Sequence, residues 1–197
     1  DKADILDYDL YLYNCDSCQM IGDSGVFTSP RIDNVSSVSA ILESLVRTGN
    51  KWKEEKAKGT EAALADEKIS EADGSDMNLD IGVFFDNEEI GSLSKQGADS
   101  GLLRMITERI LKDSGESRTI QELLPEIFLI SLDVAHGTHP NYQEKSDPVN
   151  RVLLGNGVVL KSSASQRYVT DSEAAAVIQV LCEDEKIPFQ RTVNKTG

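Results

Sequence analysis

The sequence contains few cysteines, few aromatic residues and few basic residues. Its 197 residues include three Cys and one Trp, and 20 Lys and Arg stand against 34 Asp and Glu, so the formal net charge is −14. An odd number of cysteines argues against a disulfide framework. The shortage of basic residues argues against a nucleic-acid partner, because binding phosphates needs a surface rich in Lys and Arg.

Long hydrophobic runs are also missing. No stretch of about 18 apolar residues is present, which excludes a transmembrane helix of ordinary length. The first residues, "DKADILDYDL", are acidic where a signal peptide would be basic. We therefore expect a cytosolic protein with no membrane partner. Both chain ends run through strand-like patterns, so we also expect part of a longer protein.

The two cysteines of "CDSC", Cys15 and Cys18, form a single C-x-x-C pair. A zinc ribbon would need a second pair, and the one remaining cysteine is Cys182. A thioredoxin-like motif would open a helix after a strand, whereas here a turn-like Met-Ile-Gly-Asp comes next. We interpret these cysteines as structural or incidental thiols in preference to a redox or metal site.

The first half of the chain shows a strand pattern, a helix pattern and then a polar stretch. Alternating apolar residues at 4–13 predict a half-buried strand. Apolar residues at helical spacing predict a helix that begins near Asp33 and Asn34 and is capped by Gly49: Val38, Ile41, Leu42, Leu45 and Val46. Residues 50–78 are charged or small, and we interpret them as a solvated acidic insertion.

The second half alternates between strand and helix patterns. It predicts buried strands at 79–85 and 126–133, a helix at 99–112 and a strand in "PFQRTV". Gly-Asn-Gly between apolar arms predicts a hairpin, and Thr170 with Glu173 predicts a capping box for a helix. The alternation favours an α/β fold, a three-layer α/β/α sandwich with a mixed, mostly parallel sheet that is incomplete at both ends.

Four acidic residues share one predicted context at the ends of core elements. Asp33 precedes a helix, Glu88 and Glu89 follow a predicted strand, and Asp133 ends another. Ligands of α/β sheets bind at the carboxyl ends of the strands, and converging carboxylates need compensation, for which two divalent metals are suited. One glutamate would bind a metal while its neighbour takes a proton. An ordinary solvated turn at Glu88 and Glu89 remains the alternative.

The only two histidines, His136 and His139, follow Asp133 within six residues. A single histidine is more often an ordinary surface or core residue. Two beside an acid at a strand end favour a role as metal ligand, as support for a ligand, or in substrate contact.

Four motifs occur in order between residues 29 and 170: "SPRIDN", "FFDNEEIGSLSKQGADS", "SLDVAHGTHPNYQEK" and "GVVLKSSASQRYVT". Together they resemble the M18 family of metalloaminopeptidases, which includes aspartyl aminopeptidase and aminopeptidase I, and the details are most similar to bacterial members. The resemblance implies that Asp33 bridges two metal ions, most often zinc with cobalt or manganese possible, and that the Asp33–Asn34 peptide bond is cis. It further implies that Glu88 is the general base and that Glu89 and Asp133 are metal ligands.

The resemblance also implies substrate contacts for His136, Lys161 and Arg167. A lysine suits an acidic side chain at the substrate N-terminus, although Lys161 as a plain charge at a strand edge remains open. The expected activity is release of N-terminal Asp or Glu from peptides by a metal-activated water. The alternatives are a dinuclear peptidase with a neutral or basic preference, and a non-catalytic shell or interaction module with an incomplete metal site.

The family places one metal-binding histidine before the first motif and another beyond the last, together with an assembly domain. This resemblance therefore implies that residues 1–197 are a partial catalytic domain, expected to be inactive alone. It implies a parent protein that is a large homo-oligomer, a dodecamer, acting on peptides.

Overall fold

The computed structural model describes residues 4–65 and 79–195. The chain divides into two compact units, Asp1–Asp133 and Val134–Gly197, and each is described by itself. Within the described residues, no helix is long and apolar enough to cross a membrane.

The longest element of the first unit is helix α1, Ile32–Ala65. Its half-buried apolar side chains recur at helical spacing, as the sequence predicts: Val38, Ile41 and Leu45. The predicted end at Gly49 is wrong, because the helix continues to Ala65. Lys, Glu and Ala after Gly49 are strong helix formers, and together they offset the cost of about 1 kcal/mol for one glycine. The rest of the predicted insertion, 66–78, lies outside the described residues.

Two short strands of the first unit form an antiparallel ribbon, β1 at Gln19–Met20 and β2 at Phe27–Thr28. The strand predictions at 4–13, 79–85 and 126–133 are wrong, since residues 5–18, 79–85 and 127–133 form neither helix nor strand. A strand exists only where a neighbour completes its ladder of hydrogen bonds, and an apolar pattern cannot supply that neighbour.

Segment 79–85 instead packs on α1. A Cβ placed on Gly82 would lie 3.0 Å from Cγ2 of Ile41 and closer still to Cδ1 of Leu45. The segment thus brings the following acidic turn beside the helix that starts near Asp33. The predicted helix at 99–112 is confirmed as α2, Leu102–Asp113, and a short helix α3 follows at Ile120–Leu123.

The second unit contains a parallel strand–helix–strand arrangement. Strand β3, Val158–Ser162, pairs with β4, Phe189–Val193, in the register Val158↔Phe189 to Ser162↔Val193, and α4, Ser172–Asp184, connects them. The predicted helix and "PFQRTV" strand are confirmed. The predicted capping box is wrong by one residue: Asp171 is the N-cap, and its side chain accepts a hydrogen bond from the Ala174 N–H at 2.8 Å.

The predicted hairpin around Gly-Asn-Gly is also wrong, because its first arm is not a strand. Both backbone groups of Leu153 bond to the side chain of Gln190. The N–H donates to Oε1 at 2.9 Å, and the carbonyl accepts from Nε2 at 3.1 Å. The turn itself is present, with positive φ at Gly155 and Gly157. The fold is thus a mixed helix and strand arrangement with small sheets.

Candidate active site

Asp33 lies where α1 begins, in backbone that is not yet helical (φ −89°, ψ 108°), and its peptide bond to Asn34 is cis, as the resemblance implies. Burial raises the pKa of Asp33 above its ordinary value. The charge of Asp133 and a hydrogen bond with the Asp133 carboxyl raise it further, followed by the charges of Glu89 and Glu88. The structure therefore brings Asp133, Glu89 and Glu88 within electrostatic reach of Asp33.

Asn34, which sequence reasoning does not assign to the site, joins the two segments that carry Asp33 and Asp133. Its Nδ2 donates to the Leu132 carbonyl at 3.0 Å across 98 residues of sequence. Its Oδ1 is buried and has no hydrogen-bond partner within the described part of the chain. The sign of this role in the sequence is that Asn34 directly follows Asp33. An amide side chain can donate a hydrogen bond to a backbone carbonyl, which a carboxylate at the same position would repel.

Glu88 and Glu89 occupy a turn and not a strand end. The Asn87 carbonyl accepts hydrogen bonds from the Ile90 N–H at 3.2 Å and the Gly91 N–H at 2.9 Å, and Asn87 itself has φ 62°. Both glutamates are exposed. The turn fixes their backbone and leaves their side chains accessible.

A compact loop ties this turn to α2. Gly97 is buried against Ser92, where a Cβ would lie 2.7 Å from the Ser92 carbonyl carbon. The Asp99 N–H donates to the Ser92 carbonyl at 3.0 Å, and the Ser100 hydroxyl accepts from the Leu102 N–H at 3.2 Å as α2 begins. The "GSLSKQGADS" stretch therefore links the glutamate turn to the start of α2 through local hydrogen bonds.

The donor chemistry of the acidic cluster suits a divalent cation. Carboxylate oxygens are common ligands of such ions, and a cation would relieve the repulsion that raises the pKa of Asp33. Asp33 and Asp133 already contact each other. Over residues 4–65 and 79–195, however, no three His, Cys, Asp or Glu side chains stand in an arrangement that could hold a metal ion.

The predicted substrate residues His136, Lys161 and Arg167 all belong to the second unit. His136 is exposed in a loop that is anchored by the Thr138 N–H, which donates to the Val152 carbonyl at 2.8 Å. One ring nitrogen of His139 already bonds to a neighbouring residue: its Nδ1 accepts a hydrogen bond from the Asn141 N–H at 3.1 Å. The exposed ring of His136 is therefore the better candidate for contact with a substrate.

Lys161 lies in β3 near the carboxyl end of the strand, and Arg167 is exposed in the loop that follows. The Lys161 Nζ is 5.3 Å from the centroid of the Tyr168 ring, within the range of a cation–π contact. Sequence reasoning missed Tyr168. Its position in "SQRYVT", seven residues after the lysine, is a loop spacing that no periodic pattern reveals.

The cysteines of the C-x-x-C pair are both exposed and free. Cys18 Sγ donates to Ser29 Oγ at 3.0 Å, and Cys15 Sγ is 3.9 Å from the Tyr13 carbonyl oxygen. These contacts are compatible with structural or incidental thiols.

Comparison with known proteins places the whole chain in one family. The model for the aminopeptidase I zinc metalloproteases (M18) matches residues 1–197. A probable M18 family aminopeptidase 2 of Clostridium novyi is 36% identical over 198 residues, which are 100% of this chain and 40% of the relative. Aspartyl aminopeptidase 4 of Saccharomyces cerevisiae is 36% identical over 197 residues, 95% of this chain and 36% of the relative.

Solved structures agree. Yeast aminopeptidase 1 superposes with a TM-score of 0.66 over 92% of this chain and 38% of its own, at 20% identity, and shares the fold. A chain of the Ape4 and Nbr1 complex superposes with a TM-score of 0.52 at 37% identity, over 57% of this chain and 21% of its own. The chain thus spans about 40% of the length of the first curated relatives it matches. It belongs to the M18 family of aminopeptidase I zinc metalloproteases.

Proposed function

We propose that this chain is the central part of the catalytic domain of a metal-dependent aminopeptidase that removes N-terminal residues from peptides. The family match over residues 1–197 supports the proposal. The observation that carries it is that, besides burial, the charges of Asp133, Glu89 and Glu88 raise the pKa of Asp33. Carboxylates repel one another, and a cation bound beside Asp33 would relieve this repulsion.

The proposal includes the three-layer α/β/α sandwich as the fold of the complete domain, with residues near 50–78 as an insertion. It also includes a cytosolic location and assembly into a large homo-oligomer, a dodecamer. The sandwich rests on the alternation of strand and helix patterns, the insertion and the location rest on composition, and the assembly rests on the resemblance carried by the four sequence motifs.

Asp33, Glu89 and Asp133 would hold two divalent ions, most simply zinc. When bound, such ions supply positive charge that polarises a peptide carbonyl and acidifies water. The charges of Asp133, Glu89 and Glu88 all raise the pKa of Asp33, which supports a shared role for these carboxylates. Asn34 holds the segment ending in Asp133 against the start of α1.

Glu88 acts as the general base in this proposal. Its side chain is exposed on the turn closed by Asn87 and stands one residue before Glu89. A carboxylate free of metal can accept a proton from the attacking water and then donate it to the departing amine. One glutamate could not ligate a metal and move the proton at the same time.

The substrate would be a peptide with a free amino terminus, and we propose an acidic first residue. Lys161 would pair with its carboxylate, with His136 and Arg167 nearby in the substrate pocket. A neutral or basic preference is the alternative within the same chemistry. Peptides beginning with Asp, Glu, Leu or Lys separate the two, since only the acidic preference favours the first pair.

Glu88→Gln in the full-length protein tests the base. The amide keeps the shape of the side chain but cannot accept the proton, so we expect a loss of kcat of at least about 100-fold with metal content unchanged. The matched control is Glu108→Gln, an exposed glutamate paired with Arg104 on α2, which should keep full activity. Unchanged hydrolysis in Glu88→Gln would refute the assignment of Glu88 as the base, whereas an absence of peptide hydrolysis by the wild-type full-length protein would favour a non-catalytic shell or interaction module.

A further inference from the structure

We infer that Asn194 is a positioning residue for substrate selection: it holds the hydroxyl of Tyr168, and the Tyr168 ring in turn sets the place of the Lys161 ammonium. This inference rests on the proposed function, because it concerns how the lysine meets an acidic N-terminal side chain. Asn194 itself need not touch the substrate.

The three residues meet at the carboxyl ends of two parallel strands. Lys161 is the second-last residue of β3, and Asn194 directly follows β4. Tyr168 lies in the connection from β3 to α4. The carboxyl ends of parallel strands are where α/β proteins bind ligands, so this arrangement is placed for recognition.

The contacts form a short chain of defined geometry. Asn194 Nδ2 donates to the Tyr168 hydroxyl oxygen at 2.8 Å, in a partly buried setting, which is a good N–H···O distance. The Lys161 Nζ lies 5.3 Å from the centroid of the same ring. A ring held by its hydroxyl cannot swing away, and so its face stays available to the ammonium.

The backbone of Asn194 is fixed independently of its side chain. The Asn194 N–H donates to the Ser162 carbonyl at 2.8 Å and extends the pairing of β3 and β4 by one bond. Removing the side-chain amide therefore leaves this ladder intact. Asn194→Ala thus isolates the contact to Tyr168 from the fold of the strands.

Positioning matters because lysine carries its charge on a flexible stem. An ammonium already held over an aromatic face loses less freedom when a carboxylate binds. Loss of this positioning should therefore weaken the binding of acidic substrates and leave the chemical step unchanged. We expect Asn194 to affect KM for acidic N-terminal residues and to leave kcat nearly unchanged.

The experiment compares peptides beginning with Asp against otherwise identical peptides beginning with Asn, in the full-length protein. Asn194→Ala should raise KM for the Asp peptide roughly three- to tenfold, with kcat and the Asn peptide little changed. Tyr168→Phe, which keeps the ring but loses the hydroxyl, should have the same effect. The double variant should be no worse than either single one, because both remove the same hydrogen bond.

Asn156→Ala is the matched control. It removes an asparagine amide from the same unit, at a turn where no side-chain hydrogen bond of Asn156 occurs among the described residues, and it should leave both peptides unchanged. Equal losses on the Asp and Asn peptides, or additive effects of Asn194→Ala and Tyr168→Phe, would overturn the inference. Either result would mark Asn194 as merely structural.

Lys161→Met separates this inference from the function it rests on. If Lys161→Met abolishes the preference for Asp while Asn194→Ala leaves that preference intact, the proposed function stands and the role of Asn194 is refuted. If Lys161→Met leaves the preference intact, the assignment of Lys161 as the partner of the acidic side chain and the role of Asn194 fall together. Loss of the preference in both variants supports the inference.

Discussion

Asp33 and Asp147 show how opposite surroundings move the same functional group in opposite directions. Burial and three neighbouring carboxylates raise the pKa of Asp33. Asp147 is buried, with 7% of its surface exposed, yet its pKa lies well below the usual range. The Asn150 side chain is the main cause, followed by the N–H groups of Val149 and Asn150. Hydrogen-bond donors stabilise a carboxylate, whereas like charges destabilise it.

Asp147→Asn should make stability less dependent on pH. The lowered pKa in the folded protein means that Asp147 contributes stability above about pH 4, its unfolded range, and that this contribution is lost as pH falls through the lowered pKa. Urea unfolding should show Asp147→Asn less stable than wild type at pH 7, with a smaller difference at pH 2.5. A control is Asp113→Asn, an exposed partner of Arg109. A pH-independent difference would contradict the prediction.

Asp33→Asn should have the opposite dependence in metal-free protein. A raised pKa means that the contribution of Asp33 is fully present below its unfolded pKa, about 3.9, and is lost as pH rises through the folded value. The variant should therefore be more stable than wild type at pH 7 and equal to it at pH 3. Thermal unfolding at the two pH values measures this difference.

Adding a divalent metal to the same proteins tests whether Asp33 helps to hold it. If Asp33 helps to hold a divalent ion, zinc, cobalt or manganese should raise the unfolding midpoint of wild-type full-length protein and raise that of Asp33→Asn less. Asp113→Asn should respond as wild type does. An equal rise in all three proteins would remove Asp33 from the metal site.

At the scale of elements, Gly157 shows how closely β3 is joined to the segment before β4. It has φ 92°, and a Cβ there would overlap the Pro188 carbonyl, which also accepts a hydrogen bond from the Val158 N–H at 2.9 Å. Gly155 has a similar φ of 80° but open space around it. Substitution of Gly155 therefore tests backbone strain alone, whereas substitution of Gly157 tests backbone strain together with steric overlap.

Gly155→Ala should cost about 1–2 kcal/mol of unfolding free energy, the cost of a side chain in left-handed backbone. Gly157→Ala adds an overlap with backbone atoms that cannot swing aside, for a total of about 2–5 kcal/mol. Chemical denaturation of both variants measures the two costs. Equal losses would mean that Pro188 shifts easily and that the overlap is relieved.

The sequence predicted helices better than strands because helices depend on local residues. The spacing of Val38, Ile41 and Leu45 is enough to identify α1, and only its end depends on the helix-forming residues after Gly49. A strand depends on a distant partner, which a pattern at 79–85 or 126–133 does not contain. The hairpin prediction failed because Gln190, far along the chain, takes the backbone groups of Leu153.

The candidate site shows the same difference between features set by local residues and features set by distant contacts. Glu88 and Glu89 were placed in the site by their motif, although they stand on a turn and not at a strand end. Asn34 and Tyr168 were missed because their roles come from contacts to Leu132 and Lys161. Motifs identify residue types that do chemistry, and tertiary contacts identify the residues that aim them.

At the scale of the whole molecule, much apolar surface is exposed. Two stretches are rich in exposed large side chains: Ile5, Leu6, Tyr8, Leu10, Tyr11, Leu12 and Tyr13, and Ile127, Phe128, Leu129, Ile130 and Leu132. A large exposed apolar surface marks a contact site or a tendency to associate. The net charge of −14 opposes association at neutral pH.

The 197-residue chain on its own should therefore self-associate more at high salt, where charge repulsion is screened. Leu12→Lys should reduce this association, because it places a charge within the first apolar stretch. Ser17→Lys adds the same charge at a polar position and serves as the control. Sedimentation velocity at low and high salt measures the effect, and equal association of both variants would contradict it.

The bond between Gln190 and Leu153 also has a consequence for local opening. A ladder of backbone bonds opens cooperatively, whereas the Leu153 N–H donates to one side-chain amide that rotates as a unit. Both bonds between Leu153 and Gln190 therefore break in a single rotamer change, while β3 and β4 remain paired. In hydrogen exchange, the Leu153 amide should exchange through this small fluctuation, well before the amides of β4 that require the strand pair to separate.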